Sequence, residues 1–132
     1  MTKATGFASP AQGYEEQGID LNRLLILNPP ATYFLRLESD DMDDFGLPFG
    51  SLLIVDRSRI PAPNSLVLIR HEGQFLCRLM CQAPSAAPSP AGTPENGAVY
   101  FTNGKEIIYP AAGETEIIGA ITASIKIYGI PH

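Results

Sequence analysis

Short apolar runs separated by turn residues are the feature that most restricts the fold of this chain. The runs are rich in β-branched, aromatic and leucine side chains, a composition typical of β-strands. They occupy residues 32–38, 51–56, 65–70, 74–81, 98–102, 106–110 and 116–129. A short helix is predicted in residues 20–30, because Asp20 can cap its start and Pro29-Pro30 ends it. We expect a mostly-β fold, a curled sheet or partial β-barrel with one short helix.

Two segments lack strand and helix patterns. Residues 1–18 are expected to be irregular, because glycines and a proline interrupt any periodicity. Residues 19–132 form the predicted single domain. Within it, residues 83–97 contain four prolines and no aliphatic side chain larger than alanine, so we expect a mobile, partly polyproline loop.

Charge and hydropathy exclude several function classes. The 132 residues carry a net charge of −5 at pH 7, whereas direct binding to nucleic acid requires clustered Lys and Arg. No apolar run is long enough to span a membrane, and the first residues lack the apolar core of a secretory signal. We expect a cytoplasmic protein that contacts neither nucleic acid nor membrane directly and needs no cofactor.

The residue types that could form a metal or redox site have simpler explanations here. Cys77 and Cys81 share one predicted strand at a separation of about 13 Å, too far for a disulfide. Asp40, Asp43 and Asp44 are expected on a solvated loop without a bound metal ion. We expect solvated histidines at positions 71 and 132. The aromatic residues expected in the core or at an interface are Tyr33, Phe34, Phe75, Tyr100 and Phe101.

Several motifs occur in an order that matches a known family. They are GFASPAQGYEEQGIDLNRLLI (6–26), NPPATYF (28–34), SDDM (39–42), GL (46–47), GSLLIVD (50–56), EGQFLCRLM (72–80) and IIGAITASIKIY (117–128). With these motifs the chain resembles the UmuD branch of the LexA/UmuD family of serine–lysine self-cleaving proteins. The resemblance covers nearly the whole chain except residues 83–97, and it implies a domain of the LexA/UmuD C-terminal type.

The family's chemistry implies two catalytic positions, and both are substituted in this sequence. In the family, a serine attacks a peptide bond of the protein's own N-terminal arm and a neutral lysine acts as the base. Asp41 stands at the serine position and Arg78 at the lysine position. A carboxylate at neutral pH has no proton to lose, and arginine stays protonated in proteins. We therefore expect no intact catalytic site at these degenerate positions.

The same resemblance suggests what the substituted positions do. Alternation along the strand at 74–81 places Arg78 between Leu76 and Met80, where a buried arginine needs a counter-charge. We expect a bidentate ion pair between Asp41 and Arg78 in the former catalytic cleft. Ser39 is a weaker candidate nucleophile, because its register predicts that it faces elsewhere.

The start of the resemblance suggests a processed form. The similarity begins at Gly6, whereas UmuD-like proteins carry an arm with a cleavage site upstream of this point. We expect a chain that is translated in the processed, armless form.

Three functions follow from the resemblance as alternatives. The first is a non-catalytic homodimer, associated through strand 116–129, that acts as an accessory subunit of an error-prone Y-family DNA polymerase in the SOS response and translesion synthesis. The second is a hydrolase that acts in trans with an unorthodox residue. The third is a regulator that forms mixed dimers with an active UmuD-like chain.

Overall fold

Seven strands and one helix make up the part of the chain that the computed structural model describes, residues 18–84 and 97–128. In chain order the elements are α1 (Leu21–Leu25), β1 (Thr32–Arg36), β2 (Leu52–Asp56), β3 (Leu66–His71), β4 (Gln74–Gln82), β5 (Val99–Thr102), β6 (Ile107–Ile108) and β7 (Thr115–Ile125). Two 3₁₀ turns occupy Pro29–Ala31 and Asp43–Phe45. The predicted mostly-β class with one short helix is confirmed.

The strands form one open antiparallel sheet in the order β1-β2-β7-β3-β4-β5-β6. The last strand in the chain therefore lies inside the sheet. Residues 120–125 of β7 pair with β2, while residues 115–120 pair with β3. Each half of β7 thus pairs with one neighbour, and β7 joins the β1-β2 half of the sheet to the β3-β6 half.

The pairing of β7 is interrupted where its two halves meet. The register with β3 shifts next to Gly119, and the register with β2 shifts next to Thr122. A Cβ atom at Gly119 would lie 2.8 Å from the carbonyl oxygen of Asp56 and 2.9 Å from Cγ1 of Val55. Glycine is therefore required at this point, next to the register shift.

The turns of two hairpins differ in length from the gaps between the apolar runs in the sequence. His71 pairs with Gln74, so the β3–β4 turn has two residues, Glu72 and Gly73, instead of the three residues between runs 65–70 and 74–81. Both have positive φ, as a type I′ turn requires. In the β5–β6 hairpin, the side chain of Asn103 accepts hydrogen bonds from two backbone N–H groups and fixes a four-residue loop, so β6 is shorter than predicted.

Two apolar clusters fill the core. The first contains Leu37, Met42, Leu47, Leu53, Val55, Leu68 and Cys77, and the second contains Val67, Ile69, Met80 and Phe101. Of the aromatic residues expected in the core or at an interface, Phe101 is fully buried in the core, whereas Tyr33, Phe34 and Phe75 are exposed. These three are not core residues, because β1 lies at the sheet edge and Phe75 lies beside the hairpin turn. Their place at an interface stays a prediction.

Two predictions fall on parts of the chain outside the description. Segment 1–18, predicted to be irregular, lies outside the described residues except for Gly18. The predicted loop at 83–97 lies mostly outside them as well, in the gap at residues 85–96. Among the helices of the described ranges, none is long and apolar enough to cross a membrane.

The close contact at Gly119 yields a prediction for stability. We expect Gly119→Ala to lower the free energy of unfolding by about 2 kcal/mol, because the added methyl group overpacks the β2–β7 junction. Denaturant titration followed by circular dichroism measures the change. The matched control is Ser124→Ala, at an exposed position of the same strand, where we expect a change within about 0.5 kcal/mol. Equal stability of the two variants would contradict the packing argument.

Candidate functional site

Asp41 lies in a segment whose two ends are fixed by backbone hydrogen bonds and core packing. The N–H of Leu37 donates to the carbonyl of Ser51, and the carbonyl of Leu37 accepts from the N–H of Gly50, each at 2.8 Å. After Asp41, the side chain of Met42 is completely buried. Asp41 is held between these two anchors, so core packing determines where its carboxylate lies.

Arg78 enters the same place from the middle of β4. Its side chain is 4% exposed, and its Nη1 lies 3.2 Å from Oδ2 of Asp41. The predicted ion pair is therefore present. The expected bidentate geometry is wrong, because Nη1 also donates to the carbonyl of Cys77 at 2.8 Å and Nε has no hydrogen-bond partner. The guanidinium is thus buried with part of its donor capacity unused.

Ser39 is closer to the pair than its register predicted. Its Oγ donates to Oδ1 of Asp41 at 2.6 Å, so each carboxylate oxygen has a partner. The expectation that Ser39 faces elsewhere is wrong, because residues 37–40 leave the strand and strand alternation no longer applies. Ser39, Asp41 and Arg78 form one connected polar group.

Cys77 is a site residue that the sequence reasoning considered only as one half of a disulfide. It is 4% exposed and lines the cleft next to Arg78. Burial raises the pKa of its thiol to about 12; the Arg78 guanidinium opposes this shift and the Asp41 carboxylate adds to it. Cys77 therefore stays a thiol and not a thiolate nucleophile at neutral pH. Cys77 directly precedes Arg78 in the sequence, and this was the one observation from which its place at the site could have been predicted.

The polar group lies in a cleft of about 260 Å³. A second, mostly apolar groove of about 470 Å³ adjoins it, and Leu35, Leu68 and Phe75 line both. The exposed aromatics Tyr33 and Phe34 also line this groove. The site therefore combines a neutralised charge pair with an open apolar surface.

The other candidate residues lie outside the cleft. Asp40, Asp43 and Asp44 are exposed on the turn that follows it, as the solvated-loop prediction requires. Across residues 18–84 and 97–128, no group of three or more His, Cys, Asp or Glu side chains could hold a metal ion. The prediction for His71 is wrong, because its Nδ1 lies 2.7 Å from Oγ1 of Thr115 and the residue is half-buried between β3 and β7. His132 lies outside the described residues.

Chemically, this arrangement lacks a proton acceptor of the lysine type. Arginine stays protonated in proteins and cannot act as a general base. The carboxylate of Asp41 is already engaged by a cation at Oδ2 and a hydroxyl at Oδ1. Arg78 and Asp41 suit mutual neutralisation better than peptide hydrolysis.

Burial of Arg78 gives a stability prediction. We expect Arg78→Ala to cost about 3 kcal/mol, because it removes a side chain that is only 4% exposed and leaves Asp41, 33% exposed, without its cation. The matched control is Arg70→Ala, which removes an ion pair with Glu116 in which both side chains are about half exposed and should cost less than about 1 kcal/mol. Chemical denaturation compares the two, and equal costs would mean that Arg78 is not buried in solution.

The environments of the two cysteines predict different thiol reactivity. Cys77 is buried and Cys81 is half-buried. With Ellman's reagent at pH 8, we expect Cys81 to react in the native protein and Cys77 to react only after denaturation. In a Cys81→Ser variant the native protein should then be silent. Rapid native reaction of that variant would contradict the burial of Cys77.

Comparison with known proteins agrees with the fold and the motif order. The Peptidase S24-like family model matches residues 2–87. Protein ImpA of Salmonella typhimurium is 37% identical over 99 residues, covering 74% of this chain and 68% of ImpA. Protein SamA of Salmonella typhimurium strain LT2 is 34% identical over 120 residues, covering 91% of this chain and 77% of SamA.

A third relative extends the similarity along the chain. Protein MucA of Escherichia coli is 33% identical over 122 residues, covering 92% of this chain and 78% of MucA. The resemblance to the UmuD branch is confirmed by these relatives together with the family match. The chain therefore belongs to the Peptidase S24-like family, as a UmuD-like member.

Proposed function

We propose that this chain is a non-catalytic UmuD-like protein that serves as an accessory subunit of an error-prone Y-family DNA polymerase. Its setting would be translesion synthesis in the SOS response, in the cytoplasm and without a cofactor. The observation that carries the proposal is the 3.2 Å contact between Nη1 of Arg78 and Oδ2 of Asp41, at the two positions where the family resemblance implies a base and a nucleophile.

The loss of catalysis follows from the chemistry of the two side chains. A self-cleaving site needs a hydroxyl that can lose its proton and a neutral amine that can take it. A guanidinium next to a carboxylate supplies neither. The pair also neutralises itself, so the cleft keeps no net charge from these two residues.

The surface around the cleft supports a binding role. The adjoining groove is open, and the exposed rings of Tyr33, Phe34 and Phe75 line it. Exposed aromatic side chains around an apolar groove are typical of surfaces that contact other polypeptides. Direct contact with DNA is not part of the proposal, because the chain is acidic overall.

One observation favours the hydrolase alternative. Ser39 supplies a hydroxyl in the cleft, hydrogen-bonded to Asp41 at 2.6 Å. A carboxylate can accept a proton from serine, but here Oδ2 of the carboxylate is paired with Arg78. The pairing makes this alternative the second choice.

The decisive test is turnover in trans. We expect the purified chain to leave a full-length relative with an N-terminal cleavage site uncut, at the level of the blank. The double variant Asp41→Ser with Arg78→Lys restores the two residue types of the dyad, and we expect it to cut. Either single variant is the matched control and should stay inactive. Cleavage by the unaltered chain that disappears in Ser39→Ala or Asp41→Asn would establish the hydrolase instead.

The polymerase partnership needs a separate test. Co-purification of the tagged chain from its native host, followed by mass spectrometry, should recover the catalytic subunit of a Y-family polymerase. Recovery of another UmuD-like chain without a polymerase would favour the regulator that forms mixed dimers. Recovery of neither would count against the accessory role.

A further inference from the structure

Two neighbouring spaces share three residues on the surface beside β3, β4 and β7. The apolar groove of about 470 Å³ described above adjoins a second open space of about 710 Å³. Arg70, Phe75 and Glu116 line both of them. Glu72 and Glu114 line only the second space, which we call the acidic pocket. The two spaces form one continuous surface, and the two degenerate dyad positions are not among the described residues that line it.

The acidic pocket carries an uncompensated negative charge. Arg70 pairs with Glu116, so these two side chains neutralise each other. Glu72 and Glu114 are exposed, and no Lys or Arg in the described part of the chain pairs with either of them. The imidazole of His71 lies nearby, with Nε2 3.9 Å from Oε1 of Glu72. Three carboxylates and one guanidinium leave a formal charge of −2, which favours a positively charged occupant.

Phe75 is the apolar contact at the junction of the groove and the pocket. It is 61% exposed, although it lies in a strand of the sheet. A Lys or Arg side chain can pack against an aromatic ring while its charged group reaches nearby carboxylates. An exposed ring between uncompensated carboxylates and an apolar groove therefore fits a basic side chain that adjoins an apolar one.

The apolar groove determines the second part of the occupant. Leu35, Leu68 and Ile118 line it, so it favours an aliphatic or aromatic side chain. Arg57 also lines it and lies over the ring of Tyr33, 5.6 Å from the ring centroid. Because Arg57 would repel a second positive charge in the groove, the basic group of the occupant belongs in the acidic pocket. Two adjoining open spaces suit an extended polypeptide segment, whereas a small molecule usually occupies one cavity that buries most of its surface.

We propose that this surface binds a segment of a partner polypeptide in which a Lys or Arg side chain adjoins a large apolar side chain. The basic side chain would pack on Phe75 with its charge near Glu72 and Glu114, and the apolar side chain would fill the groove. This inference names the chemistry of a partner, and it rests on the proposed function only in treating the chain as a binding protein. Peptidase activity, or the absence of a polymerase partner, would not decide it.

An array of random hexapeptides probed with the purified full chain tests the proposal. We expect enrichment of peptides in which Lys or Arg lies next to Leu, Ile or Phe, and depletion of peptides with Asp or Glu. Glu114→Lys should weaken binding of the best peptide by roughly tenfold, because an attraction becomes a repulsion. The matched control is Glu106→Lys, the same charge change at an exposed position of the β5–β6 hairpin, with an expected effect below about twofold. An array without sequence preference, or enriched in acidic or uncharged peptides, would overturn the proposal.

Nuclear magnetic resonance of the unaltered chain gives a second readout that locates the site. Titration with N-acetyl-leucyl-arginine amide should shift the backbone amide signals of residues 70–75 and 113–116, and the glutamate analogue at the same concentration should not. Phe75→Ala should weaken binding by roughly fivefold or more, because the basic side chain loses its aromatic contact. Its matched control is Ile107→Ala, at an exposed apolar position of β6 that should leave binding unchanged. Shifts that spread over the acidic surface, or that centre elsewhere, would mean binding through net charge or at another site and would also overturn the proposal.

Discussion

The pairing of β7 with two different strands is the constraint on which the rest of the structure depends. Its first half holds β3 and its second half holds β2, so the first core cluster, which joins Val55 of β2 to Leu68 of β3, depends on this strand. The change of partner requires a residue without a side chain at Gly119, where β7 passes the backbone of Asp56. Through β2 and β3 this strand also sets the position of β4 relative to the segment that holds Asp41. It therefore sets the distance between Asp41 and Arg78 across the cleft.

Much of the fold follows from local sequence signals, because the strands are short, apolar and separated by turn residues. The exceptions have local causes. A side-chain hydrogen-bond network at Asn103 lengthens one hairpin loop, and positive φ at Glu72 shortens another. The position of β7 inside the sheet could not be read from its apolar run, since the run gives length and propensity but not neighbours.

The contact between Asp41 and Arg78 could be predicted from the sequence, because it depends on opposite charges. The position of Ser39 could not, because it depends on the course of the backbone through a turn. An arginine flanked by apolar residues on a buried strand needs a carboxylate, and Asp41 supplies it. The position of Ser39 could not be derived from strand alternation, because the chain leaves the strand before reaching it. Cys77 was not recognised as part of the cleft, because both faces of β4 are covered near its centre.

The unpaired Nε of Arg78 bears on how the cleft responds to substitution. The guanidinium is 4% exposed and leaves one N–H without an acceptor, so its counter-charge comes from Asp41. Replacing Asp41 alone by an uncharged residue leaves a cation buried without a partner, and replacing Arg78 alone removes the cation that faces the carboxylate. The two positions are energetically coupled, so a substitution at one restricts the residues that the other tolerates.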